Sequence, residues 1–262
     1  MCFRRTALLA LSLTAFALAT TWGRAVPGPA LAALVATFAL GLVAFVAHEA
    51  RTAAPLVQLA LLRDRALSAG LLSMGLVSTI MMATLIVGPF YLSGVLRLGP
   101  VETGLVMSIG PGVAALTGIP AGRLVDRLGA FRVTITGLAG VTTGSVLMIV
   151  LPGAFGVGGY IGGLALITAG YALFQAANTT VVMNGATNER RGVTSALLGL
   201  SRNLGLITGA TAMGALFALG SRGVEMLGLG QGGEAGLQLT FAAAAGFAGL
   251  ALGIAVRGRP RG

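Results

Sequence analysis

Eight apolar runs, each close to the length of a bilayer-crossing helix, limit what this chain is able to fold into. They fall at residues 6–22, 30–47, 67–91, 102–121, 133–151, 157–183, 194–220 and 237–256. A hydrocarbon core of about 30 Å takes about 20 helical residues. Inside lipid every backbone polar group must be bonded within its own segment, so all eight runs are predicted to be helices. A transmembrane β-barrel would need strands that alternate apolar and polar residues, and these runs do not alternate. Composition points the same way. Hydrophobic residues make up 56% of the 262-residue chain and charged residues only 9%, against about 25% charged in a soluble domain. The expected class is an all-α integral membrane protein.

Several function classes drop out. The net charge is +10, which in another chain would suggest nucleic acid. Here the basic residues are all arginine and sit in short loops, with no basic stripe, so nucleic-acid binding is not expected. Cys2 stands alone, so neither a disulfide framework nor a cysteine metal site is available. His48 is the single histidine, read as a solvated loop residue, and no convergent ligands accompany it. No metal site and no cofactor are expected. With no HExxH pair and no Ser/His arrangement in the runs, no catalytic residue is assigned and the chain is not expected to be an enzyme.

Arginine positions set the orientation. With the N-terminus inside, Arg4, Arg5, Arg51, Arg63, Arg65, Arg123, Arg127, Arg132, Arg190, Arg191, Arg257, Arg259 and Arg261 face the cytoplasm, while Arg24, Arg97 and Arg222 face outside. That is thirteen against three from simple alternation. Both termini are then cytoplasmic, in a multi-pass protein of the cell's inner membrane in contact with its lipid. Trp22, Tyr91 and Tyr160 fall at outer span ends, where amphipathic rings prefer to sit. The first run has a rival reading. Arg4 and Arg5 followed by residues 6–19 resemble a signal peptide, with Ala17-Leu18-Ala19 as a cleavage site.

The organisation is two plus six. Residues 1–47 hold two spans. Residues 48–66 form a cytoplasmic linker in which 55–63 is suited to a short amphipathic helix at the interface. Residues 67–256 form a six-helix bundle, divided three plus three near 152–158 as in inverted-repeat folds. Residues 257–262 are a basic tail. Glycine pairs four apart, Gly118/Gly122, Gly140/Gly144, Gly159/Gly163 and Gly205/Gly209, are read as close helix packing. Pro89, Pro111 and Pro120 are expected to interrupt two of the spans.

The polar residues within and between the spans carry the functional reading. The segment Gly122–Arg132 is expected to be a cytoplasmic loop. In it Asp126 is able to accept hydrogen bonds at the N-terminus of the next helix or to pair with an arginine, and Gly122 and Gly129 allow a tight turn. Such a cluster latches two helices in one conformation and releases them in another, or else is a solvated loop that only sets topology. Arg202 lies about two turns into its span, roughly 12 Å deep at about 1.5 Å per residue. It is read as snorkelling toward a cytoplasmic gate rather than touching substrate. Gln175 and Asn178 share one helical face and either bond between helices or, with Asn203, line a cavity. All seven acidic residues lie at span ends or in loops.

Gly122, Leu124, Asp126, Arg127 and Gly129 resemble the G-x-L-x-D-R-x-G signature of the major facilitator superfamily, found between the second and third helices of each half. Ala130 and Phe131 stand where that signature carries a basic pair, with Arg132 one step later. Two further stretches, residues 55–65 and Arg191-Gly192-Val193-Thr194-Ser195 continuing through Ser201-Arg202-Asn203-Leu204-Gly205, resemble the fourteen-span drug:proton antiporter branch. The chain looks like two extra helices plus the C-terminal bundle of such a protein. The resemblance implies a conformational latch at Gly122, Leu124, Asp126, Arg127, Gly129 and Arg132 and a cytoplasmic gate at Arg191, Gly192 and Arg202. It further implies half of an alternating-access exporter for small amphipathic or cationic compounds, driven by protons. The other half would come from a separate chain, a second copy or a longer product of the same gene. In the family the coupling acids commonly lie in the N-terminal half. The alternative is a membrane protein that does not itself transport, a remnant or an assembly partner.

Overall fold

The computed structural model describes residues 64–226 and 232–258, with Thr14, Ala36, Thr37 and Leu40 described singly. The chain divides into two compact units, Met1–Asp64 and Arg65–Gly262. The first two predicted spans, the 55–63 segment, Cys2, Trp22, His48 and the end of the basic tail lie outside the described residues.

Among its described residues the second unit is helical apart from short connections. Its helices are α1 (Arg65–Gly94), α2 (Pro100–Leu128), α3 (Ala130–Asn184), α4 (Arg191–Met226) and α5 (Gly232–Arg257), with a 3-10 turn at Asn188–Arg190 before α4. All five are long and apolar enough to cross a membrane. The chain is an all-α, multi-pass membrane protein.

Run straight, the 55 residues of α3 would measure about 80 Å at about 1.5 Å per residue, far more than a core of about 30 Å. The chain instead reverses at Gly156, whose φ of 54° and ψ of −129° lie outside the helical region. Close contacts pair off on either side of that point. A methyl group added at Gly137 would lie 2.5 Å from Phe174 N, one at Gly144 2.9 Å from Ile167 N, and one at Gly163 2.7 Å from Met148 Cγ. One residue number rises as its partner falls, the mark of two antiparallel arms, 130–155 and 157–184. Counting the arms separately, the described unit has six helical segments of membrane-crossing length. The stretch 152–158, read from sequence as the boundary between two sets of three spans, is the apex of this hairpin.

α1 lies at the centre. It packs against α4 and α5 and touches α3, while α2 packs chiefly on α3. Val77, Ile80, Ala83 and Val87 of α1 are fully buried. Absent side chains let α4 approach: an atom added at Gly209 would meet Thr79 O at 2.6 Å, and Gly205 lies against Gly75. Close backbone approach of this kind is how helices associate in lipid, where apolar surface alone gives no preference for protein over lipid tails.

Two expectations fail. Pro89, Pro111 and Pro120 do not interrupt their spans; α1 and α2 run through them. Each proline removes the donor to the carbonyl four residues earlier, Leu85 O in the case of Pro89, and such freed groups are tolerated in membrane helices where neighbouring groups satisfy them. Nor do Tyr91 and Tyr160 sit as interfacial anchors. Both are buried and stack on each other with centroids 6.1 Å apart. Their depth places them near the outer end, but their helix faces turn them into the bundle.

Candidate functional site at one end of the bundle

One end of the bundle gathers most of the predicted site. Val125 of α2 packs with Val133 and Ala177 at the two ends of α3, and Leu124, Ala130 and Leu173 close around them. Asn178 Nδ2 donates to Gly70 O of α1 at 3.1 Å, and Ser201 Oγ of α4 donates to Leu71 O at 2.5 Å. These contacts bring the start of α1, the end of α2, both ends of α3 and the start of α4 to one level.

The expected Gly122–Arg132 loop is not a loop. α2 continues to Leu128 and α3 begins at Ala130, leaving Gly129 as the whole connection. Its φ of 85° and ψ of 142° are torsions that glycine adopts without strain and other residues do not. Asp126 is therefore in the last turn of α2 and not at the N-terminus of the next helix, which corrects the capping geometry. A carboxylate there opposes the helix dipole, and so does Arg191 in the first turn of α4. Neither charge is placed for the stability of its own helix. Gly122, Asp126, Arg127, Arg132, Arg191 and Gly192 are exposed. Leu124 alone of the motif packs inward.

Arg202 is shallower than its span position suggested. α4 is uncharged from 203 to 221, between Arg202 and Arg222, about 28 Å of helix at about 1.5 Å per residue. α2 is uncharged from 103 to 122, between Glu102 and Arg123. Each stretch matches the length of a hydrocarbon core, and Arg202 and Arg123 stand at one end of it. The helix begins at Arg191, and its first turns extend beyond that uncharged stretch. Arg202 is exposed there and needs no burial of charge.

The amides divide. Asn178 is buried and bonded to α1, so it joins helices and does not line a cavity. Gln175, one turn earlier, is half-buried, and Asn203 is exposed on α4.

What the polar residues do not reveal is the pair of open, small-residue faces. Three of the four glycine pairs lie at helix contacts, but atoms added at Gly118 and Gly122 would meet nothing within 4 Å. These two continue a series on α2: Gly104, Ser108, Pro111, Ala115, Gly118 and Gly122, all exposed. The steps alternate four and three, the spacing of a seam between helices. α4 repeats it with exposed Gly192, Ala196, Gly199 and Asn203. That spacing was legible in the sequence; which faces lacked a partner was not.

Residues 6–210 match the model of a family described as Major Facilitator Superfamily. Over 182 residues the chain is 28% identical to the Multidrug resistance protein Stp of Mycobacterium tuberculosis (strain ATCC 25618 / H37Rv), an alignment covering 70% of this chain and 34% of that protein. Over 122 residues it is 34% identical to the Uncharacterized transporter YebQ of Escherichia coli (strain K12), covering 47% of this chain and 27% of that one. Its fold is similar to that in "Structure of a bacterial metal transporter", with a TM-score of 0.55 and 16% identity over 98% of this chain and 64% of the other. The chain spans about a third of the length of the curated relatives it matches.

Proposed function

The chain belongs to the major facilitator superfamily, and on that membership we propose that it forms one half of an alternating-access exporter for small amphipathic or cationic compounds, driven by the proton gradient. The observation that carries the reading is the pair of open faces on α2 and α4. A bundle that only had to sit in lipid would have no use for the heptad-spaced row of small residues from Gly104 to Gly122 on the outside of α2, and the row on α4 extends the open surface beyond the uncharged stretch of that helix. Two such rows suit two helices of an opposing half, supplied by a separate chain, a second copy or a longer product containing this one. Asp126, Arg127 and Arg132 would latch the halves at the inner face, with Arg191, Gly192 and Arg202 as gate. Gln175 and Asn203 are the remaining candidates for contact with substrate. The protein would lie in the inner membrane with both termini cytoplasmic. On this reading it moves its substrate unchanged and is not an enzyme.

A non-transporting membrane protein is favoured by one fact. Asp64, Glu102, Asp126, Glu189 and Glu234 are exposed, so none of them is a carboxylate held inside the bundle. Ethidium, a small amphipathic cation, separates the two readings. Deleting the gene from its source cell is expected to raise ethidium accumulation, and a protonophore is expected to erase the difference. Equal accumulation with and without the gene would sink the exporter.

A further inference from the structure

Side-chain hydrogen bonds tie α1 to every neighbour except α2. Asn178 Nδ2 reaches Gly70 O from α3 at 3.1 Å. Ser201 Oγ reaches Leu71 O from α4 at 2.5 Å, and Thr79 Oγ1 of α1 reaches Gly205 O of α4 at 3.0 Å. Ser73 Oγ reaches Ala251 O of α5 at 3.4 Å. In lipid, such bonds and close packing are what hold helices together.

α2 has no equivalent among the described residues. Ser108 and Thr117 donate back to their own helix, to Leu105 O and Val113 O, each at 2.7 Å. The one polar approach is Tyr160 Oη of α3 to Met107 Sδ at 3.9 Å, and a thioether is a weak acceptor. Low burial does not by itself set α2 apart, because α4 is just as exposed yet bonded to α1 twice. What α2 buries is Val106, Gly110, Ala121 and Val125, a smooth face.

That face also leaves hydroxyls unmatched. Thr103 Oγ1 of α2 and Thr168 Oγ1 of α3 are buried without a partner. Other buried hydroxyls bond to the carbonyl one turn back, as Ser145 does to Val141 O at 2.8 Å, although Ser78 of α1 and Ser221 of α4 are also without a partner. Thr168 instead turns its hydroxyl toward Gly110, where an added methyl group would lie 3.8 Å away. Thr103 shares the face of Met107 and Gly110, four and seven residues on. Polar atoms buried without partners disfavour the arrangement that buries them. The ends of α2 are suited to movement as well. Gly129 is its sole link to α3, and the loop before it holds Arg97 in the left-handed region at φ 57°.

We propose that α2 is the moving wall of this bundle, swinging about Gly129 against a frame of α1, α3, α4 and α5 that side-chain bonds keep fixed. The motion stands on the geometry alone; that it opens a transport pathway rests on the exporter reading. The full chain with Cys2→Ser, reconstituted in liposomes, takes nitroxide labels at Leu116→Cys with Leu250→Cys (α2 to α5) and, separately, at Leu85→Cys with Leu250→Cys (α1 to α5). All three leucines are exposed. Pulsed electron resonance should give a broad or two-peaked distance distribution for the first pair and a single narrow one for the second. Equally narrow distributions overturn the proposal. In cells, oxidising Gly110→Cys with Thr168→Cys should abolish ethidium export and reduction should restore it. Export that continues through the oxidised pair also overturns it. If the unmodified protein exports no ethidium, the exporter reading fails, and the label distances still decide the motion.

Discussion

Asn178 and Thr168 lie ten residues apart on the second arm of α3, both buried, and differ in whether a partner meets them. The amide of Asn178 finds Gly70 O, 108 positions away in sequence. Replacing it with leucine is expected to lower stability by about 0.6–1.7 kcal/mol, the range for interhelical hydrogen bonds in membranes, read as a lower melting temperature in detergent. An unchanged melt would mean the bond contributes nothing. Gly156 is the second residue with a large local effect. Alanine there would have to adopt φ 54° and ψ −129°, a region costing about 1–3 kcal/mol, so Gly156→Ala should melt lower by that margin. The sequence made both amides and glycines visible. It did not show which amide would be bonded to α1, because that depends on the rotation of one helix about its axis relative to another.

At the scale of elements, the helices of the described unit were legible as apolar runs and their ends were not. Hydropathy measures the stretch that lipid requires, whereas α4 overhangs it by several turns at Arg191–Ser201. The loop at Gly122–Arg132 was misjudged for a related reason: polar residues suggested a connection, yet a single glycine sufficed. Glycine pairs signalled close packing without saying which helices met. The hairpin of α3 now makes that testable. Methyl groups at Gly170 would lie 2.7 Å from Val141 N and 2.8 Å from Gly137 O, while those at Gly118 meet nothing. Gly170→Val should therefore sharply reduce the yield of folded protein, and Gly118→Val should leave it near the wild-type level. Similar yields from both variants would contradict the hairpin packing.

For the whole molecule, charge is distributed by end. Among the described residues Arg65, Arg123, Arg127, Arg132, Arg190, Arg191, Arg202 and Arg257 belong to one end and Arg97 and Arg222 to the other. Which arginines share an end was readable from the alternation of spans, whereas the open faces of α2 and α4 required the fold. A prediction at this scale concerns Asp126. One charge-assisted bond is worth about 1.5–3 kcal/mol, enough to shift a two-state population about tenfold or more. Asp126→Asn should accordingly lower ethidium export about tenfold while the protein still inserts, measured by efflux and by membrane fractionation. Full export by the variant would remove the latch. The hairpin at Gly156 has a bearing on biogenesis as well. Its arms meet through residues at most a few dozen positions apart, so little chain entropy is lost in closing it. α1, by contrast, finds α4 and α5 only across well over a hundred. During synthesis α3 can thus complete its fold as a paired insertion unit while α1, already in the membrane, still waits for the partners that will enclose it.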